Sequence, residues 1–106
     1  MNLQLAGAWL EREHVGFSDI QRFATQCRDG ARSAGRESAA LVLLGGRAAA
    51  FSERYEGVAV STDVVDEFLA DLRKETQVLL DASKSGDESF LSALNAFATR
   101  IAPDLV

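Results

Sequence analysis

Apolar positions recur along most of this chain at intervals of three and four residues, the spacing of one helix face. Leu3, Ala6 and Leu10, with Trp9 beside them, predict a short helix over 2–13. Ile20, Phe23, Ala24, Cys27, Ala31 and Ala34 predict a second over 18–34. Leu41, Leu44, Ala48, Phe51 and Tyr55 carry a third over 36–55. Val65, Phe68, Leu72, Thr76 and Leu79 mark a fourth over 63–83, and Phe90, Leu94, Phe97 and Ile101 a fifth over 88–102. The expected fold is all-α: an antiparallel bundle of four to five helices in a single domain, 1–106.

Boundary residues add detail. "HVG" at 14–16 ends the first helix, with Gly16 free to take a positive φ. "SDIQ" at 18–21 reads as a capping box in which Ser18 accepts from the Gln21 amide. Gly35, in "SAGRE", leaves open whether 18–55 is one bent helix or two. "EGVAVST" at 56–62 breaks the pattern, after which Thr62 or Asp63 caps the next helix. Asp87 caps the last helix and Pro103 stops it.

"LVLLGGRAAAF", residues 41–51, is the most apolar run and has two readings. A strand, a glycine turn and a helix would form a phosphate cradle; a continuous helix would make a contact surface. The apolar stripe runs straight through Gly45-Gly46, and Val42 is the one β-branched residue between 36 and 55. Neither G-x-x-x-x-G-K-[ST] nor G-x-G-x-x-G is present. The helix is therefore preferred. Each interior glycine then costs about 0.8–1 kcal/mol relative to alanine. Small residues repeat every four positions at Ala31, Gly35 and Ala39, and Val42, Gly46 and Ala50 share that spacing, so a neighbouring helix can approach closely. A kink at Gly45-Gly46 is the other use.

Composition narrows the function classes. The chain carries a net charge of −5, which disfavours nucleic acid and anionic membrane as partners. The charge is uneven: residues 22–54 hold six arginines and three acids, while 55–106 hold ten acids and four bases. These regions complement each other within one chain or across a dimer. No apolar run approaches the roughly 18–20 residues of a membrane span. The N-terminus is a poor signal peptide, and a lone Cys27 suits a reducing compartment, so the expected location is cytoplasmic.

Candidate chemistry is sparse. Glu11 and His14 form Glu-x-x-His, which on a helix places both side chains on one face, as di-iron bundles require. With one histidine in the chain, such a metal site must be shared between copies, with Glu37, Glu53, Glu67 or Glu75 completing it. The alternative is a solvated helix end. Cys27 lies on the apolar face and reads as buried and inert. Arg28, Arg32 and Arg36 recur every four residues as a basic ridge, either facing an acidic partner or pairing with the acidic C-terminal half. No catalytic constellation stands out, and neither enzyme nor cofactor is expected. Tyr55-Glu56-Gly57 resembles the aromatic-x-Gly turn between the helices of small secreted helical-hairpin proteins. The additional N-terminal helix, the longer loop and Cys27 depart from that pattern, and no family is assigned.

The leading expectation is a non-catalytic protein-interaction module (adaptor, regulator or small inhibitor) that forms a homo-oligomer. Trp9, Gly45, Gly46, Arg47 and Tyr55 are the candidate partner-binding residues, with Phe17 as a further interface aromatic. A metal-binding bundle through Glu11 and His14 and a secreted helical hairpin are the alternatives.

Overall fold

A computed structural model describes residues 1–105 and contains five α-helices: α1 (Leu3–Leu10), α2 (Phe17–Ala31), α3 (Ser38–Arg54), α4 (Thr62–Ser85) and α5 (Asp87–Ile101). Short 3-10 turns occupy Gly35–Glu37 and Ala102–Leu105, and no strand is present among the described residues. The all-α expectation holds.

The predicted stripes form the core. Leu3, Ala6 and Leu10 of α1, Ile20, Phe23, Ala24 and Cys27 of α2, and Leu41, Leu44 and Ala48 of α3 are all buried. So are Val65, Phe68, Leu72, Thr76 and Leu79 of α4, and Phe90, Phe97 and Ile101 of α5. Antiparallel order follows from paired positions. Ser38 Oγ donates to the Ala31 carbonyl at 2.6 Å at one end of the α2–α3 pair, and Gly45 faces Ala24 and Cys27 further along. Gly7 of α1 lies against Thr76 and Leu80, while Arg73 reaches the Leu10 carbonyl. α4 packs chiefly on α5 and α1, and α3 chiefly on α2.

Gly35, at φ 63°, separates α2 from α3, so 18–55 is two helices. The basic ridge is divided with it: Arg36 leaves the ridge, and its Nε lies 2.6 Å from Asp87 Oδ1 while Nη1 donates to Ser83 Oγ at 2.7 Å. This is the expected complementarity between basic and acidic regions, made within one chain.

Several caps fall elsewhere than the sequence suggests. His14, not Gly16, takes the positive φ, at 60°. Gly16 is extended and is the N-cap of α2; its N–H donates to Asp19 Oδ2 at 2.9 Å. Asp19 therefore plays the reciprocal acid of a capping box two residues earlier than the one read at Ser18. Ser61, rather than Thr62 or Asp63, caps α4 by accepting from the Val64 N–H at 3.3 Å. Gly86, not Asp87, is the N-cap of α5. Short polar residues are abundant at each of these ends, and the backbone of the preceding loop decides which of them is in register.

Candidate functional site

α3 continues unbroken through Gly45-Gly46, so the helix does not end at the glycine pair. Gly45 is buried against α2: a Cβ there would lie 3.1 Å from both the Ala24 carbonyl oxygen and Cys27 Cβ. The close approach foreseen for a partner helix is thus made to the chain's own α2, and Gly45 is not available to a second protein. Gly46 faces the turn 102–105, where Leu105 side-chain carbons lie 3.6 and 3.9 Å from the position of its missing Cβ.

Beyond Gly46, residues of α3 and α4, with Arg28 of α2 and the turn 102–105, line a groove of about 880 Å³. Its apolar wall is an aromatic cluster. Phe51 stacks on Phe68 with centroids 4.0 Å apart and planes 17° apart, and touches Tyr55 at 5.0 Å and Phe17 at 6.0 Å. Phe51, Tyr55 and Phe17 are only half-buried, so part of this surface faces solvent. Arg28 and Arg54 supply positive rim charge, and Glu53, Glu67 and Asp71 supply negative rim charge.

Arg47 sits beside the cluster. Its guanidinium lies 5.4 Å from the Phe68 ring centroid, within cation–π range. It is flanked by two carboxylates: Glu75 Oε2 is 3.5 Å from Nε, and Asp104 Oδ2 is 3.6 Å from Nη1. Both contacts are ion pairs too long or poorly aligned to be hydrogen bonds, and Arg47 Nε and Glu75 Oε2 are buried without a hydrogen-bond partner. The two atoms face each other, so Arg47 and Glu75 form a largely buried ion pair at the edge of the groove.

Burial pushes the Glu75 carboxyl above the ordinary carboxylate range, against the opposing pull of Arg47 and then Arg100, with Asp71 adding to the rise. An acid with a raised folded pKa binds its proton more tightly in the folded state. Its stabilising contribution is complete below the unfolded pKa and is lost as pH rises through the folded value. Glu75→Gln should remove that part of the pH dependence, and the Glu75 side-chain carboxyl should titrate above the ordinary glutamate range by ¹³C NMR. A Glu75 midpoint within or below that range would contradict the burial described.

Cys27 lies in the α2–α3 contact, fully buried, and burial pushes its thiol up to about 12 against a weaker pull from the amino terminus. It carries no nucleophilic role here. Its native-state alkylation at pH 8 should be at least about a thousandfold slower than that of an unfolded thiol, from the thiolate deficit alone. Rapid labelling without unfolding would place it elsewhere.

The Glu11–His14 pair does not share a helix face. Glu11 is the C-cap of α1, and His14 stands beyond it in the loop in a left-handed conformation, fully solvated beside Glu13 at 3.9 Å. No group of three or more histidine, cysteine, aspartate or glutamate side chains suited to a metal occurs among the described residues. Of the carboxylates named as possible completing ligands, Glu37 accepts from the Leu3 N–H at 3.1 Å and so caps α1, while Glu53 and Glu67 line the groove.

Of the candidate partner-binding residues, Gly46, Arg47 and Tyr55 meet at this one groove. Trp9 does not. It packs on Phe23 at 4.8 Å and faces a separate shallow cleft between α1 and α2, with Arg12 over its ring. Tyr55-Glu56-Gly57 forms the turn after α3, with Gly57 at φ 74°, but α3 and α4 do not pair along their length as a hairpin would. Glu75 and Asp104, the two acids beside Arg47, are 28 and 57 residues from it, and no local spacing connects them. The one local signal is Arg47 itself, a single charge inside an eleven-residue apolar run. No helix is long and apolar enough to cross a membrane among the described residues. No protein-family model matches the chain, and no curated protein or solved structure matches it significantly.

Proposed function

We propose that this protein is a non-catalytic interaction module that binds a segment of another protein in the groove between α3 and α4. The observation that carries the reading is the combination of half-exposed Phe51 and Tyr55 with Arg47 along one groove. Aromatic and arginine side chains are the residue types that dominate binding energy at protein contacts. The free cysteine, Cys27, is buried in the α2–α3 contact and does not line the groove. Self-association remains part of this proposal, through surfaces other than Gly45. The cytoplasmic setting rests on the single free cysteine.

Site-specific photocrosslinking in the native host tests it. A benzoylphenylalanine at position 55 should capture one discrete protein, and Ala50→Glu on the groove wall should abolish that capture. The same probe at position 91, exposed on α5, should capture none. Equal capture from both positions, or capture at 55 that Ala50→Glu leaves intact, would contradict the groove as the binding site.

A further inference from the structure

One end of the groove is walled by a short piece of this chain. The turn Ala102–Leu105 folds back from the end of α5, and its last two side chains line the groove beside Arg47 and Gly46. Asp104 presents its carboxylate to Arg47 Nη1 at 3.6 Å, and Leu105 lies over Gly46, where the lack of a side chain leaves room for it. Both are held lightly: Asp104 is 54% exposed at its side chain, and Leu105 is 45% exposed. An exposed ion pair contributes little, and a half-exposed leucine recovers only part of its burial energy. A contact this weak persists because its tether keeps the local concentration of the turn high.

We propose that the turn 102–105 covers Arg47 and Gly46 at one end of the groove and is displaced by a partner segment that carries the same pair, one carboxylate beside a branched apolar side chain. This rests on the groove being a binding site, as proposed above, and names what it selects. The carboxylate replaces Asp104 on Arg47, and the apolar side chain replaces Leu105 over Gly46, next to the exposed faces of Phe51 and Tyr55. Glu75 is already beside Arg47, and Glu53, Glu67 and Asp71 share the rim with Arg28 and Arg54, so the rim is of mixed sign and the one position assigned to a carboxylate is that of Asp104 on Arg47. While the turn is in place, the competent fraction of the groove is reduced, and a partner's apparent affinity falls by that fraction.

The test is a ¹⁵N NMR titration of the full chain with acetyl-Ala-Pro-Asp-Leu-amide, a copy of 102–105. It is run on the unaltered protein and on the Asp104→Ala, Leu105→Ala double variant, whose changes lie in an exposed turn outside the core. The peptide should shift the Gly46 and Arg47 amides and bind the double variant roughly fivefold more tightly. A peptide with lysine in place of aspartate should give no such shifts. Equal affinity for the two proteins, equal binding of the lysine peptide, shifts elsewhere, or no shifts would each overturn the proposal. If the titration fails while position 55 still crosslinks its partner in an Ala50-dependent way, the groove reading stands and this inference alone falls.

Discussion

Gly45→Val should destabilise the fold by about 2–4 kcal/mol, whereas Gly46→Ala, one residue further on, should stabilise it by up to about 1 kcal/mol. Both glycines lie inside α3 with helical backbone, and on propensity alone either would gain from a side chain. What separates them is the neighbour. A Cβ at 45 meets the backbone of α2 at the Ala24 oxygen, and Cys27 Cβ, each at 3.1 Å, and neither is the end of a flexible side chain that can swing away. The two branches of valine must push the helices apart. At 46 the nearest atoms are the ends of Leu105 at 3.6 and 3.9 Å, ordinary van der Waals distances. Urea unfolding followed by circular dichroism measures both. A neutral Gly45→Val would mean that α2 and α3 do not approach as described.

Phe23→Ala should cost about 3–5 kcal/mol, a large part of the stability of a domain this size. Phe23 is fully buried and packs on Trp9 with ring centroids 4.8 Å apart and planes tilted by 41°, so it joins α1 to α2 at the point where the short first helix has few other contacts with α2. Its removal leaves a cavity that the surrounding helices fill only in part. The unfolding midpoint should fall sharply with the slope unchanged. Leu91→Ala, at a side chain 59% exposed on α5, should stay within about 0.5 kcal/mol and serves as the control. Equal effects at the two positions would contradict the assigned core.

Five helices and their buried faces were legible because each stripe repeats at helical spacing over at least two turns. The stripe through Leu41, Leu44 and Ala48 even decided between strand and helix at the glycine pair. What Gly45 faces was not legible, because a small residue declares that something comes close without declaring what. The helix ends were shifted for a related reason: Gly16, Ser18, Ser61 and Asp87 are all acceptable at a cap, and the loop geometry chooses. The Glu11–His14 pair read as a shared face only if α1 continued past Leu10, and it stops there. The groove itself joins Arg47 on α3, Glu75 on α4 and Asp104 beyond α5, a tertiary arrangement with no periodic trace in the sequence. Arg47 and Tyr55 stood out as candidate contact residues from their type and position, but the acids that set the chemistry around Arg47 did not.

Hydrogen–deuterium exchange of the free protein against its complex with the crosslinked partner tests the α3–α4 groove most directly. Slowed exchange confined to the second half of α3, the first half of α4 and the turn's neighbourhood around Gly46 is the expected result. Slowing on α1 and α2 around Trp9, or along α5, with the groove unchanged, would contradict it.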